Sequence, residues 1–339
     1  MHRSTARRHG HLHPSVHGSC PRGSDLDGRV NPGHAGSCPS RSAAARSVQT
    51  GATMGADPAG GADIWTSEAG AAAVRERYEQ HLAGWPVPVA RHELVTSYGR
   101  TFALTCGDDD APPVVLVHGS GANSSVWGDG IAGLAARHRV VMVDLLGEPG
   151  FSDPVRLDLT TPDTADWLAQ TLDLLGVGVT AVVGMSLGGW IAVDLATRRP
   201  ERVSRLAVLC PAGIGRQTLG KVAPAFLLNL LGARGRRRSA EIVTGLDARA
   251  HPHVLDEIDL HFRHFRPRTE RIPVFDDAAL RRLTMPVLAV LGERDRVFDP
   301  VGTGRRLTGL LPDVRVVVVP GAGHALLGQV PRIAEFLGH

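Results

Sequence analysis

The sequence predicts a mostly parallel, doubly wound α/β sheet that opens with an antiparallel hairpin and carries a small helical insertion. Three observations predict it. Short, continuous apolar runs recur between residues 114 and 319, and a run without polar alternation marks a strand buried on both faces, as in a parallel sheet. Stretches of helical spacing and crossover length separate these runs, which is the rhythm of a doubly wound fold. One interval, residues 212–283, keeps helical spacing but has no such run.

The elements follow in chain order. Residues 1–60 are rich in Arg, His, Gly, Ser and Pro, and Gly-Ser-Cys-Pro occurs twice, at 18–21 and 36–39. So few large apolar side chains do not offset the entropy of ordering, so a disordered extension is expected here, with one domain over 61–339. From Ser67 to Ala83, Val74, Tyr78 and Leu82 keep helical spacing, and Trp85-Pro86-Val87-Pro88 stops the helix. Strands near 91–97 and 101–106 flank Tyr98-Gly99-Arg100 and read as a hairpin. The buried runs are Val114–Val117, Arg139–Asp144, Val179–Val183, Val203–Leu209, Val287–Leu291 and Val314–Val319. Helices are expected near 126–137, 162–175, 187–199, 300–310 and 330–337. Within the insertion, Pro224–Leu231 and Val254–Phe265 carry helical spacing. They predict a cap over the carboxyl edge of the sheet, where open α/β sheets bind ligands.

Composition narrows the function classes. Hydrophobic residues make up 43% and charged residues 21%, as in ordinary soluble globular proteins. The net charge is +3, but residues 1–53 hold seven arginines against two aspartates, so the body is near neutral. No basic nucleic-acid footprint is therefore expected. No apolar run approaches the ~20 residues of a membrane span. No apolar stretch follows Arg7-Arg8 as an export signal requires, so a cytoplasmic location is expected. Cys20, Cys38, Cys106 and Cys210 show no CxxC or Cys/His ligand spacing, so free thiols and no metal site are expected.

The chemistry concentrates at the ends of the strands. Gly184-Met185-Ser186-Leu187-Gly188 is a G-x-S-x-G pentapeptide between a buried strand and a helix rich in small and aliphatic residues. That strand–turn–helix puts Ser186 on a sharp elbow with its hydroxyl exposed at the sheet edge. His118-Gly119-Ser120-Gly121-Ala122 follows the strand 114–117. An acyl-transfer oxyanion needs preorganised N–H donors. Leu187, after the nucleophile, supplies one, and this loop the other, from Ser120 first and Gly121 as the alternative. No phosphate-binding Gly pattern is present, and His118 is expected to hydrogen-bond within its loop. Asp295, in Leu291-Gly292-Glu293-Arg294-Asp295, is placed to orient an imidazole, with Glu293 and Asp299 as competitors in the same loop. His324 ends Pro320-Gly321-Ala322-Gly323-His324, directly after the last strand, and is the candidate general base.

With these residues in place, the chain resembles the α/β-hydrolase superfamily from about residue 66 onward, and within it bacterial carboxylesterase-like hydrolases. The resemblance rests on Val114–Trp127, Val141–Ser152, Val182–Gly189, Pro286–Asp299 and Pro320–His324. The order Ser186, Asp295, His324 is that of the superfamily. The resemblance implies an α/β-hydrolase fold and a serine hydrolase acting on esters of a small molecule through an acyl-enzyme, without a cofactor. Relatives with the same triad include C–C bond hydrolases, perhydrolases and acyltransferases, and some proteins of this fold only bind ligands. The pattern D-x-x-G-x-G-x-S is one residue longer here, from Asp144 to Ser152, which is expected to reshape the mouth of the site. Gly121, Phe226 and Phe262, with Leu227 and Phe265, are the expected lining of a substrate pocket; packing of the cap onto the sheet is the competing reading of the cap residues.

Overall fold

The computed structural model describes residues 64–338; the expectations for residues 1–60, Cys20 and Cys38 included, lie outside the described residues. The first helix among the described residues is α1 (Glu68–Ala83), whose first turn is capped by Ser67 Oγ accepting from Gly70 N–H. Strands β1 (Ala90–Thr96) and β2 (Gly99–Cys106) form the hairpin, with Thr96 opposite Gly99. Then follow β3 (Pro113–Val117), α2 (Ile131–Ala135), β4 (Arg139–Val143), α3 (Asp163–Leu174), β5 (Thr180–Met185), α4 (Leu187–Arg198) and β6 (Val203–Leu209). The excursion after β6 holds α5 (Ala223–Leu228), α6 (Gly232–Thr244), α7 (Pro252–His264) and α8 (Asp277–Leu280). The chain closes with β7 (Val287–Gly292), α9 (Pro300–Leu310), β8 (Val314–Val319) and α10 (Val330–Leu337).

The eight strands lie in the order β1-β2-β4-β3-β5-β6-β7-β8. Pairing is antiparallel from β1 to β2 and from β2 to β4, and parallel from there on. Successive side chains of a strand face opposite sides, so each central strand feeds two cores. Val115 and Val117 pack with Trp167, Leu168 and Ile191 of α3 and α4, while Val114 and Leu116 pack with Tyr78, Ile131 and Ile333 of α1, α2 and α10. Each such fully buried aliphatic side chain contributes about 1.5–3 kcal/mol.

Strand order turns at β3, which pairs with β4 on one side and β5 on the other. A crevice opens at such a switch point, beyond the carboxyl ends of the strands. The loops after β3 and β5 meet there.

Two local expectations are revised. The helix expected over 126–137 is a 3₁₀ turn, Ser124–Trp127, followed by the short α2. Gly130 between them has a φ of 85°, outside the helical region, and breaks the run. Val314–Val319 is a strand but not one buried on both faces: β8 is the sheet edge, and Val318 is 48% exposed. Among the described residues no helix is long and apolar enough to cross a membrane.

Candidate active site

Ser186 is the single residue between β5 and α4, and its φ of 53° is rare for a side-chain-bearing residue. Such a conformation costs on the order of 1–3 kcal/mol and persists only where its surroundings over-determine it. Here Ser186 N–H donates to Leu209 O at 2.9 Å, and its carbonyl accepts from Trp190 N–H at 3.1 Å and Ala212 N–H at 3.2 Å. The elbow also needs bare backbone around it. A Cβ on Gly184 would stand 2.3 Å from Gly188 O, and one on Gly188 only 2.2 Å from His118 O. Because the obstacle is backbone, Gly188→Ala is expected to destabilise the fold by about 1–3 kcal/mol through overpacking. Urea unfolding followed by circular dichroism checks this; an unchanged midpoint would contradict the packing account.

The structure brings the three residues of the expected triad together. His324 Nε2 lies 3.0 Å from Ser186 Oγ, and Nδ1 lies 2.9 Å from Asp295 Oδ2. A carboxylate only accepts, so Nδ1 carries the hydrogen and Nε2 is left to accept from the serine hydroxyl. Asp295 is buried, and its Oδ1 accepts from Val297 N–H at 2.7 Å and Phe298 N–H at 3.1 Å. Burial works to raise its pKa, but the hydrogen bond and charge of His324, with these two N–H groups, hold it below the ordinary carboxylate range. The Phe298 ring meets the imidazole edge-on, with centroids 5.3 Å apart. Both competitors are engaged elsewhere: Glu293 accepts from Gly321 N–H, and Asp299 caps α9 through Gly302 N–H.

The loop after β3 lies against the serine, so that a Cβ on Gly119 would be 3.3 Å from Ser186 Cβ. Among the described residues neither Ser120 N–H nor Leu187 N–H has a hydrogen-bond partner. Gly121 N–H, the alternative donor, is engaged: it donates to Glu148 Oε2 at 2.7 Å. Ser120 Oγ also donates to this carboxylate, at 3.1 and 3.2 Å from its two oxygens. His118 is fully buried. Its Nδ1–H donates to Gly119 C=O at 2.8 Å while Nε2 accepts from Leu145 N–H at 3.0 Å. Burial lowers its pKa and keeps the ring neutral, as that pair of bonds requires.

The cap reaches the loops after β3 and β8. His261 of α7 donates from Nδ1 to Gly121 C=O at 2.8 Å. Its Nε2 is 3.3 Å from Glu257 Oε1, and Glu257 Oε2 meets Arg77 at 3.3 Å and His81 at 3.5 Å, both on α1. Burial opposes ionisation of Glu257, but His261, His81 and Arg77 outweigh it and lower its pKa. At the other end of the site, Thr244 C=O at the end of α6 accepts from Ala325 N–H beside His324 at 3.0 Å.

A cavity of about 1300 Å³ opens over Ser186 and His324. Trp85, Trp127, Met185, Phe262, Ile272 and Phe298 give it a largely apolar wall. Phe262 is half-exposed in the cavity wall and so close over Gly121 that a Cβ there would be 2.6 Å from its ring. Phe265 instead packs the cap, edge-on to Trp65 at 6.4 Å. Leu227 is 67% exposed, and the side chain of Phe226 lies outside the described residues. Cys210, Asp295 and His324 each present a donor atom within 4.8 Å of the others. Burial first, and the Asp295 charge second, push the Cys210 thiol up.

Glu148, Glu257 and His261 went unrecognised in the sequence. The extra residue between Asp144 and Ser152 marked the place of Glu148, but nothing in the sequence marked its contact with Gly121.

Residues 114–335 match the family described as the Alpha/beta hydrolase family. "Uncharacterized carboxylesterase nap" of Bacillus subtilis (strain 168) is 30% identical over 266 residues, which is 76% of this chain and 87% of that protein. "Carboxylesterase YbfK" of the same organism is 30% identical over 274 residues, 77% of this chain and 92% of its own length. The crystal structure of naproxen esterase (carboxylesterase NP) from Bacillus subtilis superposes with a TM-score of 0.67 at 30% identity, covering 77% of this chain and 94% of that one.

Proposed function

The chain belongs to the alpha/beta hydrolase family and is a carboxylesterase-like hydrolase, and from that premise we propose that it cleaves carboxylic ester bonds of a small molecule through an acyl-enzyme on Ser186. The observation that carries the reading is the continuous chain Ser186–His324–Asp295 at the floor of a largely apolar cavity, beside two N–H donors that have no partner among the described residues.

His324 Nε2 takes the hydroxyl proton as Ser186 Oγ attacks the ester carbonyl. Charge moves to the carbonyl oxygen, which accepts from Ser120 N–H and Leu187 N–H. The C–O bond to the alcohol breaks, and the alcohol leaves with the proton from His324. Water then gives a proton to His324 and attacks the acyl-enzyme. A second tetrahedral species collapses to the acid and returns the proton to Ser186. Asp295 holds the Nδ1–H tautomer and stabilises the imidazolium in both halves. The volume of the cavity, above the usual range for one small ligand, fits esters with a bulky apolar acyl or alcohol part.

A fluorophosphonate probe with peptide mapping tests this without knowledge of the natural ester. Stoichiometric labelling at Ser186, with the rate falling by about 10³-fold or more in His324→Ala, is the expected result. Folded protein that takes no label would turn the reading toward ligand binding.

A further inference from the structure

Three consecutive peptide units of the loop after β3 are pinned by three buried side chains from different parts of the chain. His118 holds Gly119 C=O, Glu148 holds Gly121 N–H, and the cap's His261 holds Gly121 C=O. A peptide unit is planar, and its N–H and C=O point in opposite directions. Fixing Gly119 C=O on His118 therefore points Ser120 N–H away from His118, at the opposite edge of the same plane. Fixing Gly121 N–H stops the next peptide from rotating and carrying the first with it. Glu148 also occupies the Ser120 hydroxyl, so the side chain of the donor residue is held by the same carboxylate.

We infer that Glu148 is a positioning residue for the oxyanion donor, holding the Ser120–Gly121 peptide so that Ser120 N–H faces the developing negative charge. The inference rests on the acyl-transfer reading of Ser186. Glu148 is 1% exposed and sits in the segment with the extra residue. Gly150 N–H donates to Glu148 C=O at 2.8 Å, a tight turn that folds the side chain inward. It does not touch the cavity, so its action on substrate passes through the loop.

The same surroundings make the clamp sensitive to pH. Burial raises the Glu148 pKa to about 7, opposed by Gly121 N–H, Arg268, Ser120 and Arg156. His261, with Glu257 behind it, faces the other side of Gly121. As pH falls through that value the carboxylate takes a proton and loses the charge that strengthens both bonds to the loop.

The test is steady-state hydrolysis of a simple aryl ester, in turnover that Ser186→Ala abolishes. Removing one oxyanion donor outright costs about 10²–10³-fold in kcat. Glu148→Ala, which loosens the donor without deleting it, is expected to lower kcat by about 10–100-fold with KM within threefold. Glu148→Gln keeps an acceptor for Gly121 N–H. It is expected to recover kcat to within about fivefold above pH 8, and to reduce the acid limb of the pH profile from more than one proton toward one. A trifluoromethyl ketone, whose hemiketal oxyanion uses the same donors, should lose affinity for Glu148→Ala in step with kcat/KM. Parental kcat in Glu148→Ala, or a change in KM alone, would overturn the clamp while leaving the nucleophile standing. If Glu148→Ala does not fold, an acid limb in Glu148→Gln as steep as the parent's overturns it. Parent turnover that survives Ser186→Ala overturns both readings.

Discussion

Ser186→Ala is expected to reduce kcat on simple carboxylic esters by about 10⁶-fold, the scale on which loss of a triad nucleophile removes catalysis. The reason is local. No other hydroxyl is hydrogen-bonded to His324 Nε2 among the described residues, so the proton acceptor is left without a nucleophile to activate. Alanine keeps the Cβ, and the backbone bonds of the elbow to Leu209, Trp190 and Ala212 do not involve the side chain. Stability should therefore stay within about 0.5 kcal/mol of the parent, as for substitutions that disturb no packing. Paired kinetics and thermal melting read both quantities, and turnover above one thousandth of the parent's in a well-folded variant would reassign the nucleophile.

Asp295→Asn should cost about 10⁴-fold in kcat, the size of effect seen when an amide replaces a triad carboxylate. The two N–H groups of Val297 and Phe298 demand an acceptor at one side-chain atom of residue 295. Asparagine meets that demand with its carbonyl oxygen and so turns its NH₂ toward His324. The amide then donates to Nδ1, the ring hydrogen moves to Nε2, and the atom facing Ser186 has no lone pair for its proton. The fold is undisturbed while the wrong tautomer is enforced. Single-turnover acylation should slow as much as steady-state turnover; a loss below tenfold would assign the orienting role to another acid.

The sequence was most informative where local chemistry and fold coincide. Apolar runs set the strands, and Ser186, Asp295 and His324 lie in the loops that follow β5, β7 and β8, so strand prediction carried these candidate residues with it. Glycines 184 and 188 around Ser186 announced a packing requirement that the structure expresses as sub-contact distances. The choice of Asp295 over Glu293 and Asp299 was less legible, because all three share one loop and only hydrogen bonding separates them. Glu148 and His261 were invisible for a stronger reason. Their partner is the backbone of Gly121, 27 and 140 residues away, and a backbone contact leaves no complementary residue type to notice. Edge exposure of β8 was misread because its valines look the same in sequence whether or not another strand follows.

The cap touches the site at two opposed points, His261 on one loop and Thr244 on the other. This limits how far the protein can be treated as modular. In a fold whose roof only encloses substrate, specificity could be changed by grafting a foreign roof onto the sheet, or a minimal enzyme made by deleting it. Here a graft that fits its new ligand well but lacks these two struts would bind without turning over. Selection for a new ester is therefore expected to vary the cavity-facing side chains of α7, such as Phe262, and to leave its His261 face alone.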